Sequence, residues 1–168
     1  MIGTALSNLL LSKGYDVIIL TRNPKQKSEN PKLTYATWDT EKQTIDVAAI
    51  EKADYIVNLA GANVGDRRWT AKRKKEIIDS RVKSAETLIK ALKEIPNKVK
   101  AVIQAAGTDW YPADATIPNK DPFTETDARG DHFLGQVCEK WESSIQPVTA
   151  LGKRLVILRT GMVLSKTG

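Results

Sequence analysis

At 168 residues with 41% hydrophobic content, the chain is long enough to bury a core, and nothing in it requires a second domain. Its one cysteine, Cys138, excludes an internal disulfide framework and a cysteine-rich zinc site. No window is apolar and long enough to span a bilayer or to act as a secretion signal, so a cytoplasmic location without membrane contact is expected.

The chain opens at Met1-Ile2-Gly3-Thr4-Ala5-Leu6, which reads as the rear half of a dinucleotide-binding turn. Gly3 stands where the last glycine of such a turn packs helix against sheet, at a helix N-terminus suited to a pyrophosphate. Neither a strand nor earlier glycines stand in front of it. Ile2, Ala5, Leu6, Leu9 and Leu10 then recur at helical spacing, and Lys13-Gly14 supplies a basic last turn and a stop. Tyr15 to Leu20 is a short apolar run rich in β-branched residues and reads as a strand ending at Thr21-Arg22-Asn23-Pro24. At such a strand tip an acid suits a free ribose 2′-hydroxyl and an arginine suits a 2′-phosphate, so Arg22 favours NADP over NAD. A solvated loop arginine is the plainer alternative.

Further strands are expected at Leu33 to Trp38, Asp54 to Gly61, Lys100 to Gly107 and Arg154 to Arg159, with a short helix from Asp46 to Lys52. The formal net charge of +6 is concentrated in the run Arg67 to Lys75, a pattern that also occurs in nucleic-acid-binding surfaces. Ile77, Ile78, Val82, Ala85, Leu88, Ile89 and Leu92 continue that run at helical spacing, however. The expectation is therefore an amphipathic helix with Thr70 as its N-cap and a solvated basic first turn, not a nucleic-acid interface. A proline-rich loop from Pro112 to Pro122 leads to another helix with Phe133, Leu134, Val137, Cys138, Trp141 and Ile145 on one face. Alternating helices and apolar strands predict an α/β fold, a Rossmann-like doubly wound parallel sheet covered on both faces.

The blocks IGTALSNLLLSKGYDVIILTRNP, ADYIVNLAG, WTAKRKKEIIDSRVKSAETLIKAL, DHFLGQVCEKWE and RLVILRTGMVL, in this order, resemble the atypical extended short-chain dehydrogenase/reductases. More narrowly they are similar to the nucleoside-diphosphate-sugar epimerase-like branch of the NAD-dependent epimerase/dehydratase family. The resemblance covers essentially the whole chain, residues 1–168, as one NAD(P)-binding domain that looks truncated at both ends: the first strand and a C-terminal substrate region are missing. It implies a cofactor site with Gly3 at the pyrophosphate, Thr21 and Arg22 at the ribose phosphate, and Leu59-Ala60-Gly61 along the adenine-to-nicotinamide stretch. It also implies Glu76 and Arg81 near the cofactor and Val163 near the nicotinamide. Small residues at Ala60 and Gly61 would let a flat cofactor approach the backbone.

Enzymes of this fold use a tyrosine whose acidity is raised by a lysine four residues later. No Tyr-x-x-x-Lys occurs here. With Glu142 aligned to the usual trailing acid, Leu134 falls at the tyrosine position and Cys138 at the lysine position; the helical Asn falls at Arg81 and the strand-end Ser at or beside Ala106. The remaining catalytic candidates are Tyr111 and Thr108, just beyond a strand end, with Asp109 near them; His132 is more simply a neighbour of a helix start, and Cys138 a core residue.

Three readings follow. The chain belongs to an NADP(H)-dependent epimerase or oxidoreductase acting on an unidentified small molecule, to a nucleotide-binding or sensor module without turnover, or to an inactive fragment of such an enzyme. In the usual strand order the absent first strand is central. The flanking strands, Tyr15 to Leu20 and Asp54 to Leu59, are therefore expected either to meet or to close on a second copy as a homodimer.

Overall fold

The computed structural model of the chain describes residues 1–25, 28–113 and 121–164. The Pro112 to Pro122 loop lies largely outside the described residues. Helix α1 (Ile2–Ser12) ends at Lys13, and Gly14, at a φ of 86° that suits glycine, turns the chain back into β1 (Val17–Thr21). β1 runs parallel to β2 (Leu33–Asp39), pairing Val17 with Leu33 through to Thr21 with Thr37. β2 is followed by a tight turn with Gln43 at φ 51° and by β3 (Thr44–Ile45), which pairs antiparallel with it. β3 has no counterpart in the sequence reading, because two residues are too few to show a period.

Asp46 caps α2 (Val47–Lys52) by accepting the Ala49 N–H at 2.9 Å. β4 (Tyr55–Asn58), β5 (Ala101–Gly107) and β6 (Arg154–Thr160) form a second, fully parallel sheet. Between β4 and β5 runs α3 (Ala71–Glu94), capped by Thr70, whose hydroxyl accepts the Arg73 N–H at 3.2 Å. Between β5 and β6 lie a short 3-10 turn (Thr108–Trp110) and α4 (Phe133–Ile145).

Register explains the core. Ile56, Val102 and Leu155 are partners across β4, β5 and β6 and point to the side where Leu88, Leu92 and Ile145 of α3 and α4 are buried. Leu20, Trp38 and Ile45 of the first sheet pack on the same cluster. The other face of the second sheet is open: Tyr55, Val57 and Leu158 are 58%, 38% and 48% exposed. The α/β class with parallel strands is as expected, and among the described residues this sheet is covered by helices on one face. α1 contacts β1 yet buries none of its residues.

Among the described residues β1 has only β2 as a strand neighbour and β4 only β5, so the two sheets are separate. Of the two alternatives expected for these strands, direct pairing of β1 with β4 is therefore not what the structure shows. Each sheet is anchored to the common core by its own side chains.

Leu88, 1% exposed, sits at the centre of this core, so Leu88→Ala should lower unfolding free energy in urea by about 2–5 kcal/mol. Thr70→Ala should cost about 1 kcal/mol through the lost cap. Tyr55→Thr, on the open face, should change stability by no more than about 0.5 kcal/mol.

Candidate cofactor and active site

Toward the carboxyl ends of the second sheet, the core-facing row changes from apolar to polar. Beyond Ile56, Val102 and Leu155 come Asn58 and Gln104 beside Ile157, then Ala106 and Arg159. Asn58 and Gln104 are buried together with Ser84 of α3. The Asn58 side-chain amide donates to Ser84 Oγ at 3.2 Å and to Gln104 Oε1 at 2.9 Å, and its Oδ1 accepts the Ala60 N–H at 3.2 Å. A satisfied buried network of this kind fixes where the chain leaves β4.

The departing segment is held from behind by α3. Ser80 Oγ accepts the Ala62 N–H at 2.9 Å, and Arg81 Nη1 donates to Ala62 O at 3.1 Å and to Ile77 O at 3.0 Å. Arg81 is buried, its guanidinium 4.6 Å from the Trp141 ring centre, and among the described residues it forms no salt bridge. Burial pushes its pKa down. A Cβ on Gly61 would lie 3.0 Å from Arg81 Cζ, so the lack of a side chain there has a local cause. Arg81 thus stands behind Gly61, bonded to backbone. Glu76 is exposed and paired with Arg73 at 2.8 Å; that hydrogen bond holds its carboxyl below the usual range. Arg73 is itself buried, so the basic first turn is not wholly solvated as the sequence suggested.

A Cβ on Gly3 would lie 3.6 Å from Leu59 Cδ1, which places the start of α1 at the carboxyl end of β4. After the turn at Gly14, β1 contacts α1 and ends at Thr21, with Arg22 exposed just beyond it. Thr21 Oγ1 accepts the Asn23 N–H at 3.2 Å. Gly3 and Leu59 therefore meet at the end of β4, where Ala60 and Gly61 follow. Val163 follows β6 with its side chain 43% exposed.

A second cluster lies beyond β5. An open cavity of about 510 Å³ is lined by Thr108, Asp109, Tyr111, Pro112, Phe123 and His132, among others. Tyr111 stacks on Phe123 with centroids 4.9 Å apart, and its hydroxyl accepts from Arg159 Nη1 at 3.1 Å. Arg159 is gripped by both oxygens of the buried Glu142, at 2.8 and 2.9 Å, and lies 4.0 Å from the Trp110 ring centre. Glu142 holds its guanidinium firmly protonated. Sequence reasoning did not find Arg159; a charged residue in the apolar run Leu155 to Leu158 and Thr160 was the available signal. His132 is exposed, at the N-cap of α4, and makes no side-chain cap bond.

At the expected lysine position, Cys138 is buried, 3.6 Å from Gly107 O, and burial pushes its thiol up to about 11. It is a neutral core group, as expected. Among the described residues no group of acidic, histidine and cysteine side chains is arranged to hold a metal, and no helix is long and apolar enough to cross a membrane.

Residues 1–132 match the model of the NAD dependent epimerase/dehydratase family. The chain is 33% identical over 168 residues to the epimerase family protein ML0860 of Mycobacterium leprae, covering 99% of this chain and 50% of that protein. Among solved structures it resembles human epimerase family protein SDR39U1 with NADPH, at 28% identity and a TM-score of 0.76, over 100% of this chain and 52% of that one. It also resembles the nucleoside-diphosphate sugar epimerase of Corynebacterium glutamicum at 30% identity and a TM-score of 0.76, over 100% of this chain and 33% of that one. The chain spans about half the length of the curated relatives it matches.

The Cys138 thiol should resist alkylation by iodoacetamide at pH 8 in the folded protein and react once it is unfolded in urea. Because its folded pKa lies above that of the unfolded chain, stability should be intact below pH 9 and decline as pH rises through about 11. Cys138→Ala should lose that slope in alkaline urea titrations.

Proposed function

The chain belongs to the NAD dependent epimerase/dehydratase family, and on that premise we propose that it binds NADP(H) and works as an epimerase or oxidoreductase of the nucleoside-diphosphate-sugar kind. The observation that carries this reading is the contact of Gly3, at the start of α1, with Leu59, at the end of β4, and Arg22 is exposed just past the end of β1. The human structural neighbour, solved with NADPH, supports the choice of cofactor.

Bound there, the cofactor would supply a centre that accepts or returns hydride. Gly3 and the backbone of Leu59 to Gly61 would bind it closely, and Arg22 would hold the 2′-phosphate in two hydrogen bonds. Arg81 and Glu76 shape the site from α3, one through the Ala62 carbonyl and the other through Arg73. Val163 would border the nicotinamide end. Tyr111 is the group that gives or takes a proton at its phenolic oxygen, which Arg159 orients, with Thr108 as a second hydroxyl on the same cavity.

A second reading, a cofactor-binding or sensing module without turnover, is favoured by one observation. α4 carries Leu134 and a neutral Cys138 where a proton-transfer pair would stand. In either reading the protein works in the cytoplasm, and the open edges of β1 and β4 close on a second copy of the chain. Light scattering should then report a dimer, and a monomer at all concentrations would contradict that part.

NADPH should bind more tightly than NADH in calorimetric titrations, and Arg22→Ala should erase the difference; equal affinities before mutation would remove the assignment. If nucleoside-diphosphate-sugar turnover is found, Tyr111→Phe should slow it by about 10²–10⁴-fold. Cofactor binding with no turnover across such sugars would favour the second reading.

A further inference from the structure

We propose that Arg73 and Trp69 are positioning residues for the cofactor, setting the shape of residues 60–65 without touching it. The inference rests on the cofactor reading above. This segment is neither helix nor strand, so its backbone groups need partners from elsewhere. Three successive carbonyls find them in side chains: Ala62 O accepts from Arg81 at 3.1 Å, Asn63 O from Arg73, and Val64 O from the Trp69 indole at 2.7 Å. Three N–H groups are also satisfied locally, Ala60 on Asn58, Ala62 on Ser80 and Gly65 on Asn63. Among the described residues the N–H groups of Gly61, Asn63 and Val64 have no protein acceptor. Carbonyls tied back and amides left free give this backbone the polarity that suits an anionic ligand.

Arg73 is the unusual member of this set. Lys72, Lys74 and Lys75 around it are exposed, while Arg73 is 8% exposed. One Nη meets Glu76 at 2.8 Å; the other serves Asn63 O and lies 3.8 Å from Asp66. Its buried Nε has no partner. Burying a guanidinium with an unsatisfied donor is costly, and an apolar residue would fill the place at less cost if packing were all that was needed. Only a planar fork reaches the carbonyl and both carboxylates together, which a lysine cannot do. Trp69 adds a second anchor: while bonded to Val64 O it packs edge-on against Phe133 of α4 at 5.2 Å.

The test uses the full chain, with NADPH and NADH as probes in fluorescence titrations. Arg73→Met should weaken both cofactors by about tenfold or more, the scale of a lost charge-assisted hydrogen bond, and leave their ratio unchanged. Arg73→Lys should not restore binding. Trp69→Phe, which keeps the aromatic packing and removes only the donor, should weaken both by about threefold to tenfold. Hydrogen exchange should quicken at residues 60–65 in Trp69→Phe and stay as in the parent elsewhere.

Unchanged affinities in folded variants would overturn the inference, as would exchange raised uniformly over the chain, which would mark a purely structural role. If Arg73→Met does not fold, Trp69→Phe and Arg73→Lys decide by the same criteria. A parent protein that binds neither cofactor would bring down the cofactor reading itself, an outcome distinct from tight parental binding with unaffected variants.

Discussion

The structure depends on the burial of one face of α3, a helix longer than the strands it covers. Its 24 residues span about 36 Å, whereas β4 has four residues and β5 seven. The C-terminal half of α3 therefore lies over the apolar rows of the sheet, with Ala85, Leu88, Ile89 and Leu92 in the core. Its N-terminal half overhangs the carboxyl end of β4. There the buried positions are Arg73, Ile77 and Arg81, and the arginines bond to carbonyls of the segment that leaves the strand. One helix face thus changes from hydrophobic burial to backbone recognition along its length, and that change puts the candidate site where ligands of parallel sheets bind.

A different solution operates at the end of β5 and β6. Arg159 and Glu142 are joined by two hydrogen bonds on the core side of the sheet, and such a pair is costly to desolvate. What it provides is geometry: the guanidinium is held between β6, α4 and the aromatic side chains of Trp110 and Tyr111. A tyrosine meets a fixed cation here through tertiary contact between strand and loop, in a chain with no lysine four residues after any tyrosine.

The open side of the molecule follows from the same distribution of helices. α3 and α4 pack on each other and cover one face of the second sheet, while α1 contacts β1 with none of its own residues buried. Apolar side chains such as Tyr55 and Leu158 are consequently left exposed, and the two sheets, fixed separately to one core, keep their edges apart. Exposed apolar surface and unpaired strand edges are features that proteins ordinarily cover.

Local signals in the sequence were sufficient for the elements that are long or capped. Helical spacing marked α1, α3 and α4; Thr70, Asp46 and Gly14 marked ends by the hydrogen bonds and the backbone angle they supply; and β-branched runs marked β1, β4, β5 and β6. The family was also legible, because its blocks are contiguous in the chain. Tertiary structure decided the rest. β3 exists only through its pairing with β2, and the open face of β4 reflects which helices pack where, which an apolar run cannot express. Arg73 looked like its neighbours in a basic run until the Asn63 carbonyl was brought against it. Arg159 and Tyr111 are 48 residues apart, and nothing local distinguishes a strand arginine that will meet a phenol from one that will meet water. Sequence by itself determined periodicity, caps and kinship because these act over a few neighbouring residues; the site's bonds were decided only by folding because each joins residues that the chain keeps far apart.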